Sequence, residues 1–308
     1  MDRHPHSAGS SCRQMPIAPV ALNRPTPDGI PDVNRDATGR YISANHKTGT
    51  ALSLCLVRVL AAEGIQLHRA SMHTWGYFSL KYPNTRLINM VRNPFILVHS
   101  GYLYHRGTTR PESWTLEKFS YMSQPYGAFN REHTNGVSQG ALAAVNAFRT
   151  CSRTTISENA TYREALNTLS LSDGLLLESL RSLHRDIPYM VSSALACYHA
   201  ARSVKSDPSV TGTCTNVLLE AIMANYTESF VPYVAEPLQI KNVRGAEFAR
   251  DCDPALTDGG RHRTSDHSER SRAEQSDAIH AIRKLDHAYL DGMISIAERT
   301  MQSLGIMW

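Results

Sequence analysis

The sequence predicts an α/β protein with a central parallel sheet flanked by helices and a helix-rich middle. Three observations carry this expectation. Two short apolar segments, 40–44 and 86–91, each run directly into a helical pattern. The second is apolar at almost every position, as in strands covered on both faces. Strands alternate with helices along the chain, the order that builds a parallel sheet through crossovers. The chain has 308 residues, 42% hydrophobic and 19% charged, which excludes a wholly disordered or fibrous protein.

The elements follow in order. Residues 1–39 carry six prolines and little periodicity, so they read as an extended or disordered arm before a single domain over 40–308. Arg40-Tyr41-Ile42-Ser43-Ala44 reads as a strand that breaks into Asn45-His46-Lys47-Thr48-Gly49-Thr50. From Ala51 to Glu63 the pattern is helical with almost no polar face, so the helix is expected to be buried, and Gly64 ends it. A second strand is expected at 65–69 and a third at 86–91, with Pro94 opening a helix over 95–105. Leu and Ala at three- and four-residue intervals place helices over 139–150, 162–169, 172–185 and 188–204. Residues 216–219 read as another buried strand, followed by helical turns to Val234. Apolar residues nearly vanish from Asp251 to Ser276, the mark of a long polar loop, and an amphipathic helix over 279–304 closes the chain.

A strand that breaks into a short glycine-containing loop before a buried helix presents backbone N–H groups to an anion. Lys47 adds a cation, Thr48 and Thr50 add hydroxyls, and Gly49 lets the backbone come close. The lysine precedes the glycine, so the loop is not the GxxxxGK[ST] type, and an ordinary nucleoside-triphosphate hydrolase or kinase is disfavoured. A second element strengthens the anion reading. Val91-Arg92-Asn93-Pro94 closes a strand, and Ser100 follows Arg92 by eight residues, two turns along the next helix. A guanidinium at a strand end with a helix hydroxyl can grip a second phosphate.

These segments resemble two motifs of the sulfotransferase family. His46-Lys47-Thr48-Gly49-Thr50 is similar to its 5′-phosphosulfate loop, and Val91-Arg92-Asn93-Pro94 through Ser100-Gly101-Tyr102 to its 3′-phosphate segment. The resemblance implies a P-loop-like sulfotransferase fold that uses 3′-phosphoadenylyl sulfate (PAPS) as donor and releases the bisphosphate nucleotide PAP. Its specific motifs cover 41–105, with a weaker echo at 215–223. The family's second threonine and tryptophan after the loop are Ala51 and Leu52 here, and the aromatic often found before the later glutamate is Leu219 before Glu220, so adenine stacking has no assigned residue. Gly259-Gly260-Arg261-His262-Arg263 is similar in kind to the loop that covers the 3′-phosphate, which makes 253–276 a candidate lid.

The resemblance implies sulfuryl transfer, an in-line displacement in which the protein positions groups and stabilises charge. Lys47 would stabilise the bridging oxygen of the leaving nucleotide and Thr50 would bond the 5′-phosphate, alongside Thr48, Gly49 and Ala51, with no metal demanded. The acceptor's proton needs a base, for which His73 is the first choice, His68 or a carboxylate the rival, while His46 sits beside Lys47. His99 reads as packed, and His105 as a residue that could line the acceptor entrance. The acceptor is expected to be a hydroxyl or amine of a small molecule, with carbohydrate or protein as the alternative, and a nucleotide-binding module without catalysis as a reading from another class. A net charge of +4, with Asp258, Asp266 and Glu269 interrupting the basic loop, argues against nucleic acid as a partner. No N-terminal stretch pairs a basic segment with an apolar core, so neither a secretory signal nor a membrane anchor is expected. Six cysteines scattered singly read as reduced thiols in a cytoplasmic protein.

Overall fold

The computed structural model describes residues 39–45, 48–70, 85–109, 111–122, 135–152, 154–206, 212–253, 272–285 and 288–306. His46, Lys47, His73, Arg261, His262 and Arg263 lie outside the described residues, as do residues 1–38 of the expected arm. The chain forms two compact units, each drawn from separated stretches. Sequence continuity hides such a division, because both units take residues from the middle and from the C-terminal part of the chain.

One unit holds the sheet and draws on Leu22–Asn93, Tyr189–Glu269 and Glu298–Trp308. Its strands are β1 (Arg40–Ala44), β2 (His68–Arg69), β3 (Arg86–Val91) and β4 (Thr213–Leu218), all parallel in the order β2-β1-β3-β4. The α/β class is therefore as expected. Helix α1 (Thr50–Ala62) buries Leu52, Ser53, Cys55, Leu56, Val59 and Leu60. The expectation of a wholly buried helix needs correcting, because Leu54 is 42% exposed and Arg58 faces solvent.

The period of two along the strands divides the core. Ile42, Ile88, Met90 and Val217 pack on one face with Leu56 and Leu60 of α1 and with Phe230, Val234, Leu238 and Phe248. Tyr41, Leu87 and Cys214 point to the other face, towards Ala196, Cys197 and Ala200. Full burial of a leucine such as Leu56 contributes about 1.5–3 kcal/mol. A short helix at Gly245–Cys252, absent from the sequence reading, completes this unit.

Disulfides join Cys55 to Cys252 and Cys197 to Cys214, Cys151 is also disulfide-bonded, and no free cysteine occurs among the described residues. The reading of six reduced thiols is thus corrected. Partners 197 and 17 residues apart leave no tight sequence pattern, so only the fold brings them together.

The other unit is helical and includes Pro94–Pro188 and Arg270–Ala297. Its helices at Pro94–Gly107, Asn135–Cys151, Tyr162–Thr168 and Leu171–His184 match the expected ones to within four residues at either end. The expected polar loop is already helical from Arg272, in the helix Arg272–Arg283. The single closing helix expected over 279–304 is instead divided, with a turn at Lys284–Leu285 before the helix Ala288–Ser303. The apolar stripe runs on through Ile282, Leu285 and Tyr289 at three- and four-residue steps, so the sequence pattern gives no sign of the break. Among the described residues no helix is long and apolar enough to cross a membrane.

Candidate functional site

Parallel pairing sets the strand ends level. Ala44 lies beside Met90, and Val91 beside Leu218, so the segments after β1, β3 and β4 leave one edge of the sheet together. The chain leaves β1 towards β2 on one side and leaves β3 towards β4 on the other, which makes the carboxyl ends of β1 and β3 the point where the strand order reverses. Open α/β sheets bind ligands at that point.

The turn after β1 is built around one carbonyl. Asn45 O accepts from the Thr48 amide at 3.1 Å, the Thr48 hydroxyl at 3.0 Å and the Thr50 hydroxyl at 3.3 Å. The Thr50 hydroxyl, expected to face a phosphate, therefore points inward in this structure. The side chain of Asn45 donates from Nδ2 to Ser193 Oγ at 2.9 Å, and Ser193 also accepts from Asn89 Nδ2 at 3.4 Å. Asn89 Nδ2 reaches Asn216 Oδ1 at 2.8 Å, so a buried amide network ties the turn to β3 and β4.

Gly49 then adopts φ +115°, a conformation closed to most side chains. A Cβ there would lie 2.8 Å from Met90 Cε and 3.3 Å from Leu219 Cδ1. The glycine thus lets α1 start against the ends of β3 and β4. Among the described residues no side chain caps the start of α1, and no acidic residue sits in its first turn. Its leading amides, from Thr50 and Ala51 onwards, carry the positive end of the helix dipole at the strand-order reversal.

Arg92 follows β3 and is only 8% exposed. Its Nε donates to Glu220 Oε1 at 3.0 Å, while the Asn93 amide donates to Glu220 Oε2 at 3.4 Å. Burial pushes the Glu220 carboxyl above the ordinary carboxylate value, and the Arg92 charge pulls it part of the way back. The Arg92 amide lies 3.3 Å from the Met190 sulfur, and Asn93 Nδ2 donates to Glu298 Oε1 at 3.4 Å. Arg92 and the α1 start therefore stand on adjacent strands of one sheet edge, as their sequence positions suggest.

The other expected residues are distributed differently. Ser100 is buried on the helix Pro94–Gly107 in the helical unit. His68 pairs with Tyr41 on β2, three residues before the carboxyl end of β1, about 10 Å from that end along the strand. His105 does not line an entrance. It is fully buried, with Nδ1 3.0 Å from Glu178 Oε2. Sequence reasoning missed Glu220 as the partner of Arg92, and Asn45 and Ser193 as supports of the turn. The one available signal was that all of β1, β3 and β4 end in polar residues within two positions.

The chain matches no protein-family model, no curated protein and no solved structure.

Proposed function

We propose that this protein is a sulfotransferase that moves a sulfuryl group from PAPS to a hydroxyl or amine acceptor. The observation that carries the reading is the convergence of the uncapped start of α1, behind Gly49, with Arg92 at the point of strand-order reversal. An anion with two phosphorylated ends suits two positive features on neighbouring strands.

In this reading the amides after Gly49, from Thr50 and Ala51, take the 5′-phosphate, with Thr48 shaping the turn. Lys47 neutralises the bridging oxygen as the S–O bond to the nucleotide breaks. Arg92 takes the 3′-phosphate, and Arg261, His262 and Arg263 are assigned to it by their resemblance to a covering loop. The acceptor oxygen or nitrogen attacks sulfur in line. Its proton passes to a base, for which His73 is the candidate with His46 in support, and PAP leaves. No step calls on a metal ion.

The disulfides favour one acceptor class over the small-molecule expectation. Disulfides such as Cys55–Cys252 and Cys197–Cys214 persist in oxidising compartments, where the abundant hydroxyl acceptors are carbohydrates and proteins. Incubation with labelled PAPS and panels of small-molecule, glycan and protein acceptors tests both parts. Label transfer to any acceptor supports the reading, and the panel that accepts label names the class. PAP binding without transfer to any panel would leave the nucleotide-binding module, and no PAP binding would remove the reading.

A further inference from the structure

Glu220 sits where an anion site would not be expected to hold a carboxylate. It stands in the first turn after β4, and its two oxygens accept from Arg92 Nε and from the Asn93 amide, on consecutive residues of the segment after β3. The guanidinium assigned to a phosphate is thus already faced by a carboxylate held at two points. A phosphate arriving on Arg92 adds negative charge to a partly desolvated site, where like charges repel more strongly than in water. One proton makes the carboxyl group neutral, whereas a phosphate monoester that takes up a proton still carries a negative charge.

We propose that Glu220 is the positioning residue of the Arg92 anion site and that it takes up a proton when a phosphorylated ligand lands on that guanidinium. One proton moves from solvent to a Glu220 oxygen, and no other bond changes. The inference rests on the anion-binding reading above and assigns that site its pH dependence.

The surroundings agree with this. Among the described residues, Arg92 is a cation facing Glu220, and Glu298 of the helix Ala288–Ser303 is a neighbouring carboxylate, reached through Asn93 Nδ2. From the helix Asp186–Ser206 the contact to this segment is the Met190 sulfur, which does not titrate. Burial already shifts the Glu220 carboxyl towards its neutral form, against the pull of Arg92. While Glu220 is ionised in the free protein and protonated in the complex, affinity falls by up to about tenfold per pH unit.

The test is calorimetry of the full chain with adenosine 3′,5′-bisphosphate near pH 7, in two buffers of different ionisation enthalpy. Wild type should take up as much as one proton more than Glu220→Gln, which keeps an oxygen for Arg92 Nε. Glu220→Gln should bind several-fold tighter, and the advantage should grow with pH. Wild type alone gives a second measurement: its proton uptake should be larger with the bisphosphate than with the 5′-monophosphate. Equal proton counts and equal affinities in the two proteins, or equal uptake with the two nucleotides, would overturn the role of Glu220 and leave the anion site standing. Failure of wild type to bind either the bisphosphate or pyrophosphate would remove the anion site, and this inference with it.

Discussion

Replacing Arg181 by Met should be among the most damaging single changes outside the candidate site. Arg181 is fully buried in the helical unit. Its Nη2 reaches Glu178 Oε1 and Asp186 Oδ2, both at 2.6 Å, its Nε adds a bond to Glu178 at 2.9 Å, and the guanidinium stacks 5.5 Å from the Trp114 ring centre. Glu178 is also bonded by Tyr162 Oη at 2.9 Å and faces His105 Nδ1. Burial alone would push the Glu178 carboxyl up, but Arg181 and His105 outweigh it and hold it at about 2. Removing the guanidinium leaves two buried carboxylates facing each other, a loss of about 3–5 kcal/mol. For a unit of this size that lowers Tm by on the order of 10–20 °C.

The pH dependence follows from the depressed Glu178 value. Its contribution in wild type is complete above the ordinary carboxylate range and is lost only as pH falls towards 2. In Arg181→Met the orphaned carboxylates regain protons at higher pH, so the destabilisation should shrink between pH 7 and pH 4. Denaturant unfolding of both proteins at the two pH values is the assay. A loss below about 1 kcal/mol at pH 7, the worth of an exposed pair, would refute the claim that this cluster is a buried ionic core. A loss that does not change with pH would refute its assignment to unpaired carboxylates.

Three further outcomes are expected. Lys47→Ala should lower kcat for sulfuryl transfer by roughly 10² or more with PAP binding reduced only moderately, as steady-state kinetics beside calorimetry will show. His73→Asn should abolish turnover at nearly unchanged donor affinity, and any residual rate should lose the acid limb of the pH–rate profile. Gly49→Ala places a side chain at φ +115° against Met90, so thermal unfolding should report a loss of about 1–3 kcal/mol together with weaker PAP binding.

Much of the sheet was legible because β3 is apolar at almost every position and β1 leads into a glycine-containing loop and a helical pattern. β4 was harder. Thr213, Thr215 and Asn216 interrupt its pattern, and it begins three residues earlier than 216, the expected start. The helix Gly245–Cys252 offers only Phe248, Ala249 and Cys252 as a buried stripe, and Gly245 is fitted against the Thr227 carbonyl, a contact no local pattern announces. Glu178 and Arg181, three residues apart on a Leu-rich helix, look like a solvated face, yet both are fully buried. What turns them inward is the company of Asp186, Tyr162 and His105, which tertiary packing alone supplies. The anion site divides in the same way. Gly49 and Arg92 announce themselves by spacing, whereas Glu220 meets Arg92 across 128 residues through the pairing of β3 with β4.

The central claim is that Arg92, at the strand-order reversal, binds the 3′-phosphate of a nucleotide whose 5′ end lies on the start of α1. The most direct measurement is calorimetric titration of wild type and Arg92→Ala with adenosine 3′,5′-bisphosphate and with its analogue lacking the 3′-phosphate. The account predicts that wild type prefers the bisphosphate, and that Arg92→Ala loses affinity for it far more than for the analogue. Equal losses for the two nucleotides, or no binding of either to wild type, would contradict it.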